Sequence, residues 1–339
     1  MDLVKVEPDD DVRVRAATAL LDAARRTDDP ESIEVRAKEI RNDLRYGYDL
    51  NPPQLFALEP AGPADPVGLL RVEAPVHDNR NLLHGQITVL PQCRRRGHGR
   101  RLMAGLVELA GQRGRTTLWA GAAQDHPAGP AFLVGQGFTA ASHDARRHQV
   151  LAQVDWAEID RLEALAGERT GEYALQRLRP PHDDHLLQAL VEVEAAINDA
   201  PMGALDWEDE VFDLARLRDT QTAWRLRGSD LYRTVARHRG TGAIAGHSYL
   251  VIDPEQPEVG YQGDTAVARS HRGRRLGLAL KIAMLRWLAE AAPRVALVET
   301  WNNVDNTFMI GVNEALGYRL SRTFTTYQRV LAHSTDSRK

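Results

Sequence analysis

Apolar residues along the chain set out one series of elements and then repeat it. Val4 and Val6 alternate with polar neighbours ahead of three consecutive acids, Asp9 to Asp11, after which Val14, Ala17, Leu20 and Leu21 recur at helical spacing. A second helix is predicted over 33–46. Residues 55–58, 67–72 and 82–90 read as strands separated by Pro, Gly, Asp and Asn turns, the pattern of an antiparallel meander. A helix follows over 97–110, since Leu102, Leu106 and Leu109 share one face. Then come a strand at 116–120, a short helix at 131–135 and a closing hairpin at 138–154.

Beyond a helix-prone connection at 156–165, the order starts again. A strand is predicted at 172–178, helices at 184–197 and 207–217, and strands at 231–237, 242–252 and 259–267. A long helix follows at 276–292, an apolar strand at 295–301, a helix at 306–316 and a final pair of strands at 318–331. The expected organisation is a first domain at 1–155, a linker or connecting helix at 156–170 and a second domain at 171–339. A length of 339 residues agrees, being too long for one comfortable core.

The two halves align over one stretch without a gap. VLPQCRRRGHGRRL, starting at Val89, lies over VARSHRGRRLGLAL, starting at Val267. In each copy an apolar strand ends, an arginine-glycine turn intervenes and an apolar helix begins. A turn that opens a helix presents backbone amides with no intrahelical partner, and the helix dipole adds favourable potential for an anion. Gly97 and Gly99 allow close approach of a pyrophosphate, with Arg94, Arg95, Arg96, His98 and Arg100 beside it. The second copy offers Arg272, Gly273, Arg274, Arg275, Leu276 and Gly277. A lone glycine turn is common, so the duplication in one strand-to-helix setting carries the argument. The hairpin-like strands before each turn disfavour a dinucleotide-binding fold, and no Gly-Lys-Ser/Thr ending marks a nucleotide-triphosphate loop.

On these residues the chain resembles the GCN5-related N-acetyltransferase (GNAT) family. The family pattern Arg/Gln-x-x-Gly-x-Gly/Ala is met by Arg94, Gly97 and Gly99; the second copy keeps Arg272 and Gly277 but has Arg275 at the first glycine. The C-terminal half is also similar to actinobacterial tandem acetyltransferases, including mycothiol synthases, in NDAPMG from Asn198, QGDTAV from Gln262, HRGRRLGLALK from His271 and TWNNVDNTFMIGVNEALGY from Thr300. The resemblance implies an α/β fold of tandem domains, each a mixed, mainly antiparallel splayed sheet flanked by helices. It implies acetyl-CoA or another acyl-CoA as cosubstrate and transfer of the acyl group to a primary amine. Backbone near Val267 and Val89 is then expected to polarise the thioester carbonyl.

Direct transfer needs a neutral amine and a stabilised oxyanion, and the sequence has no Cys-His or Ser-His-Asp set for an acyl-enzyme. Asp264, just before the second turn, and Glu299, a charge on an apolar strand, are the candidates for orienting or deprotonating the acceptor. The alternative for Glu299 is a solvent-facing or arginine-paired carboxylate. Many family members place a tyrosine acid four residues before the closing Gly-aromatic pair; here those positions are Asn313 and Leu133. Asn302 and Asn306 are candidate contacts to pantetheine or acceptor, with helix capping as the alternative for both. Asp199 and Glu208 are candidate holders of a cationic amine, with surface turns and helix starts as the alternative.

Composition narrows the partners. The net charge of −4 and pI near 6.3 give no general attraction to nucleic acid, and the arginine clusters lack an aromatic platform for single strands. The single Cys93 excludes an internal disulfide framework, and the 12 histidines are too dispersed to define a metal site. A mean hydropathy of −0.41, with no run of 18 uncharged apolar residues and no signal-like leader, points away from membranes and secretion and towards the cytoplasm. The expected partner is a small-molecule amine, such as a polyamine, aminoglycoside or amino acid derivative, with a peptide amine as the other acceptor class. The leading expectation is catalysis by the C-terminal domain with a structural or regulatory N-terminal one. Two active domains, or a CoA-binding sensor or assembly protein without transferase activity, are the alternatives.

Overall fold

The computed structural model describes residues 3–331. In chain order its elements are β1 (Leu3–Lys5), α1 (Asp11–Asp28), α2 (Ala37–Tyr46), β2 (Gln54–Leu58), β3 (Gly68–Glu73), β4 (Leu82–Val89), α3 (His98–Gln112), β5 (Thr117–Ala123), α4 (Ala128–Gly135) and β6 (Thr139–Val150). They continue as α5 (Trp156–Thr170), β7 (Tyr173–Leu178), α6 (Asp184–Glu194), α7 (Leu214–Arg227), β8 (Asp230–His238), β9 (Ile244–Ile252), β10 (Val259–Val267), α8 (Leu276–Ala291), β11 (Leu297–Asn303), α9 (Thr307–Ala315) and β12 (Arg319–Val330).

Two compact units result, and neither is a continuous piece of chain. The first comprises the residues up to Ser142, the short segment Ala204–Glu208 and the residues from Thr325 onward; the second comprises His143–Gly203 and Asp209–Phe324. The expected hairpins at 138–154 and 318–331 are each one long strand, β6 and β12. Neither stretch contains the Gly, Pro or Asn that a tight reversal uses, so each runs straight on. The later residues of β6 pair antiparallel with β11 inside the second unit, while Leu331 at the end of β12 bonds Thr116 ahead of β5 inside the first.

In the first unit, β1 to β4 form an antiparallel series and β5 joins β4 in parallel. Strand alternation then makes two apolar layers. Leu70, Leu83 and Leu118 meet Leu102 and Leu106 of α3 on one face, and Leu55, Ala57 and Leu69 meet Val14, Ala17 and Leu20 of α1 on the other. The second unit repeats the plan. Leu250, Ile252 and Val298 pack on Ile282, Leu285 and Leu288 of α8, while Val235 and Ile244 pack on Leu187 and Leu190 of α6 and Leu217 of α7.

Helix starts follow local chemistry. In α1, α5, α6, α7 and α9 the first turn is closed by the side chain of Asp10, Asp155, Asp183, Asp213 or Asn306, which accepts from a backbone amide three residues on. This cap moves the helix expected at 207–217: residues 201–213 stay non-helical except for short turns, and α7 starts at Leu214 behind Asp213. By contrast, α3 and α8 have no side-chain cap.

The connecting helix α5 is part of the second core, because Ile159, Leu162 and Ala166 face α8 and Arg286 of α8 reaches Glu163 at 2.7 Å. Leu162→Ala is therefore expected to lower the unfolding free energy of the chain by about 2–4 kcal/mol in a denaturant titration. An unchanged transition is the result for a helix that merely links two domains.

Candidate functional site

Each unit contains a gap between two parallel strands that begin side by side and then part. In the first unit only Leu82–His84 of β4 pair with Thr117–Trp119 of β5; in the second only Val259–Tyr261 of β10 pair with Leu297–Glu299 of β11. Among the described residues, β10 from Gln262 onward has a strand partner only in β9. At the open end of each gap stands the arginine-glycine turn and the start of a helix.

The two turns share one backbone shape with different residues. Left-handed conformations fall at Arg95 and Gly97 in the first and at the aligned Gly273 and Arg275 in the second. Each copy thus supplies glycine at one of the two positions and accepts a strained arginine at the other, at about 1–2 kcal/mol. Arg275 recovers part of this through a 2.7 Å bond to the Leu165 carbonyl. The first helical bonds are donated by Arg101 to Gly97 and by Ala279 to Arg275. The amides of His98, Gly99 and Arg100, and those of Leu276, Gly277 and Leu278, therefore precede the helical ladder and suit an anion.

Arg94 and Arg272 do something other than meet a phosphate. Arg94 Nε donates to the Val89 carbonyl at 3.1 Å and its two terminal nitrogens hold Asp28 at 2.8 and 2.6 Å. Arg272 Nε donates to the Val267 carbonyl at 3.0 Å and holds Asp199. The same clamp, from the end of the strand through the turn to an acid, occurs in both halves; Asp28 is the last residue of α1 and Asp199 follows α6. Asp199 is shared with Arg269, and these guanidiniums, Arg269 foremost, bring its pKa down to about 2. It is thus a fastener of the turn rather than a free holder of an acceptor amine. Arg274 pairs with the exposed Glu172. Such surface pairs contribute about 0–1 kcal/mol and yield readily to a phosphate.

Asp264 lies in a bulge. Residues Gln262 and Thr265 of β10 face Leu250 and Ser248 of β9, so Gly263 and Asp264 together oppose one residue, Tyr249. A Cβ on Gly263 would fall 2.2 Å from the Tyr249 ring, so that ring packs directly on the bulge. Burial, reinforced by the carboxylates of Glu194 and Glu210, raises the Asp264 pKa to about 7 against the opposing pull of Arg233 and the Tyr249 hydroxyl. Beneath it, Arg233 Nη1 donates to Glu194 at 2.6 Å and to His247 Nδ1 at 2.8 Å. That bond leaves the His247 proton on Nε2, 3.6 Å from Glu194, and burial lowers the His247 pKa to about 4. Burial also acts to raise Glu194, but His247 and Arg233 outweigh it and keep the carboxyl ionised.

Glu299 is committed elsewhere. His148 Nε2 lies 3.0 Å from one of its oxygens and Trp301 Nε1 donates to the other at 3.0 Å. Asn306 caps α9 through Met309, and Asn302 accepts from Asn313 at 2.7 Å. The Asn313 Oδ1 is buried without a hydrogen-bond partner.

Glu208 belongs to the first unit, although its place in the sequence is within the second. Its backbone amide, carbonyl and carboxylate all bond Asn79, and its neighbour Trp207 stacks on Trp119 of β5 at 5.3 Å. Asp206 adds bonds to Asn81 and Gln328. In this unit the residue aligned with Asp264 is Gln86, which cannot act as a base.

Sequence reasoning missed the Asp–Arg–carbonyl clamp, the Glu194–Arg233–His247 group and the tie of 204–208. The clamp pairs residues 66 and 73 positions apart, beyond any local pattern. Lys281, buried on α8, carried a signal: it is the one charge among the residues 276–285 of an otherwise apolar stretch. Gly277 is open enough that an added Cβ meets nothing nearer than the Thr265 methyl at 3.9 Å. Gly277→Ala should therefore leave the melting temperature unchanged or raise stability by up to about 1 kcal/mol. A CoA titration by calorimetry should show at least about tenfold weaker binding at that site, and undiminished affinity would mean that no phosphate approaches this helix start.

A family model described as the acetyltransferase (GNAT) family matches residues 19–138 and 196–318. Among solved structures, the chain is similar to a tandem GNAT protein from the clavulanic acid biosynthesis pathway, determined without AcCoA. The TM-score is 0.80 and the identity 25%, over 98% of this chain and 99% of that one. It shares its fold with a GCN5-related N-acetyltransferase from Sphaerobacter thermophilus, at a TM-score of 0.71 and 16% identity over 99% and 97% of the two chains. It also shares it with a glucosamine N-acetyltransferase region of a fungal multi-domain GH3 beta-N-acetylglucosaminidase, at 0.67 and 15% over 97% and 38%. No curated protein sequence matches the chain significantly.

Proposed function

The chain belongs to the GNAT acetyltransferase family, and we propose that its second unit transfers an acyl group, acetyl in the simplest case, from acyl-CoA to the primary amine of a small acceptor. The observation that carries this reading is Asp264, a carboxyl with a pKa near 7 placed by a bulge beside an open strand gap. A base of that strength takes a proton from an ammonium at neutral pH without being permanently protonated itself.

The remaining parts follow from the same geometry. The amides opening α8 take the pyrophosphate, and pantetheine lies along β10 where it has left β11. The backbone around Val267 polarises the thioester carbonyl. The amine attacks that carbonyl, its proton passes to Asp264 directly or through water, and the C–S bond breaks to release CoA. Both reactants are held at once and no acyl-enzyme forms. Asn313, held by Asn302, stands where many relatives have a tyrosine, so the thiolate leaves without that acid. No step calls on a metal ion. An acyl-CoA cosubstrate and a single cysteine fit a cytoplasmic setting, and no helix among the described residues is long and apolar enough to cross a membrane.

In this reading the first unit binds CoA without turning it over. Arg95, Arg96 and Arg100 have no ion-pair partner among the described residues and are free for phosphate, yet Gln86 replaces the base and Trp207 covers Trp119. A second reading, a CoA-binding sensor without transferase activity, draws on Asn313 and Leu133 at the positions of the missing acid. Release of free CoA across a panel of primary amines separates the two.

Asp264 must be ionised to act, so kcat/KM for amine-dependent CoA release should rise with pH through about 7. Asp264→Asn should lower kcat by about 100-fold or more and abolish that limb. Because the folded pKa lies above the ordinary value of 3.8, the wild-type carboxyl loses stability for the fold as pH rises from about 4 through 7. Thermal unfolding should accordingly find Asp264→Asn more stable than wild type at pH 8 and similar near pH 4. Unaltered turnover in this variant would remove Asp264 from the chemistry.

A further inference from the structure

The face of the second sheet that holds Asp264 also carries an aromatic ring that no step of the transfer uses. Tyr261 of β10 pairs with Val251 on one side and Glu299 on the other, so these three side chains share a face, and alternation brings Tyr249 of β9 and Trp301 of β11 onto it. Asp264 joins them, since its carboxyl meets the Tyr249 hydroxyl. Tyr261 and Glu299 are the last residues of β10 and β11 to pair with each other. Trp301 comes two residues beyond Glu299 and Asp264 three beyond Tyr261, the bulge taking up the extra one. The carboxyl and the indole therefore stand at nearly the same level on the two walls of the gap.

Trp301 is held so as to present a surface. Its Nε1 donates to Glu299 at 3.0 Å, and Phe324 of β12 supports one side of it, with ring centres 4.8 Å apart. Fixed in this way it is still 45% exposed, whereas α6 and α7 cover the same face over β8 and β9. Phe324 offers no equal surface, because the guanidiniums of Arg146 and Arg322 lie over its ring at 5.9 and 5.7 Å. The indole is thus a single open aromatic flank with a charged and polar rim, to which Ser321 also belongs through its bonds with Arg146. Scattered exposed aromatics are ordinary on a protein surface. This one is set apart by its fixed orientation and its place opposite Asp264.

We infer that Trp301 carries the ring of the acceptor and that the acceptor is an aminosugar, its amine at Asp264 and the C–H face of its pyranose on the indole. The inference rests on the proposal that the second unit acylates a primary amine, and it names the class of that amine. The face of an indole is the negative side of its quadrupole and attracts C–H bonds. A pyranose has such bonds on its flat side and hydroxyls around its edge, which suit a rim of charged and polar groups. A polyamine would instead bring a second cation up to Arg146 and Arg322, which repel it. An arylalkylamine would set an apolar ring edge against the same groups and leave them without polar partners.

Amine-dependent release of CoA from acetyl-CoA by the full-length chain tests this, with glucosamine, galactosamine, mannosamine, cyclohexylamine, benzylamine and putrescine as acceptors. At least one aminosugar should exceed each of the other three amines by about tenfold or more in kcat/KM. Trp301→Ala should raise KM for that aminosugar by about tenfold or more and leave kcat within about threefold, and Trp301→Phe should restore much of the affinity. Thermal unfolding checks that both variants are folded. A preference for cyclohexylamine, benzylamine or putrescine overturns the inference and keeps the transferase reading, as does an aminosugar KM that Trp301→Ala leaves unchanged. Release with none of the six amines overturns the inference, and a wider panel of primary amines then decides the transferase reading itself.

Discussion

The second unit is organised around the end of parallel pairing after Tyr261. Two parallel strands that pair over three residues and then part leave a stretch of backbone whose donors and acceptors face a space rather than another strand. A ligand with amides of its own can complete that ladder, as pantetheine can. The turn after Val267 places further open amides at the mouth of the same space, an arrangement that suits an anion. The bulge at Gly263 and Asp264 is possible because β10 is bound there on one side only, so an extra residue distorts a single ladder.

The two halves show which parts of this arrangement are fixed by backbone geometry and which by side-chain chemistry. Left-handed conformations recur at the same two turn positions although glycine has changed places between them. The arginine that returns to the strand carbonyl and holds an acid recurs as Arg94 with Asp28 and as Arg272 with Asp199. These features hold the helix start against the strand end in either unit. The groups that would act on an acceptor are not shared. Gln86 stands in for Asp264, and the segment Ala204–Glu208 is bound by Asn79, Asn81 and Trp119 in the first unit. Both copies keep the backbone shape of the turn, whereas the carboxyl of Asp264 is present in only one of them.

The order of elements, the duplication and both turns were legible in the sequence because each rests on local periodicity or on a short motif. The splayed sheet of each unit followed from the resemblance those motifs carried. The stretches 138–154 and 318–331 were expected as strand pairs, whereas each is one long strand, β6 and β12, with no turn residue to reverse it. Asp264 was a candidate from its place before the turn, but its raised pKa depends on burial first and then on Glu194 and Glu210, all of which arise only in the fold. Glu299 was read from an unexpected charge on an apolar strand, and the reason for that charge is its bonds to His148 and Trp301. Glu208 looked like part of the second domain by position, and long-range hydrogen bonds to Asn79 place it in the first.

Amide hydrogen exchange on the full-length chain, with and without CoA, tests most directly whether the parted strands and the helix start form one binding site. The account predicts that CoA slows exchange at residues 263–267 of β10 together with 276–278 at the start of α8. CoA binding that leaves both stretches exchanging at their free rates would contradict it.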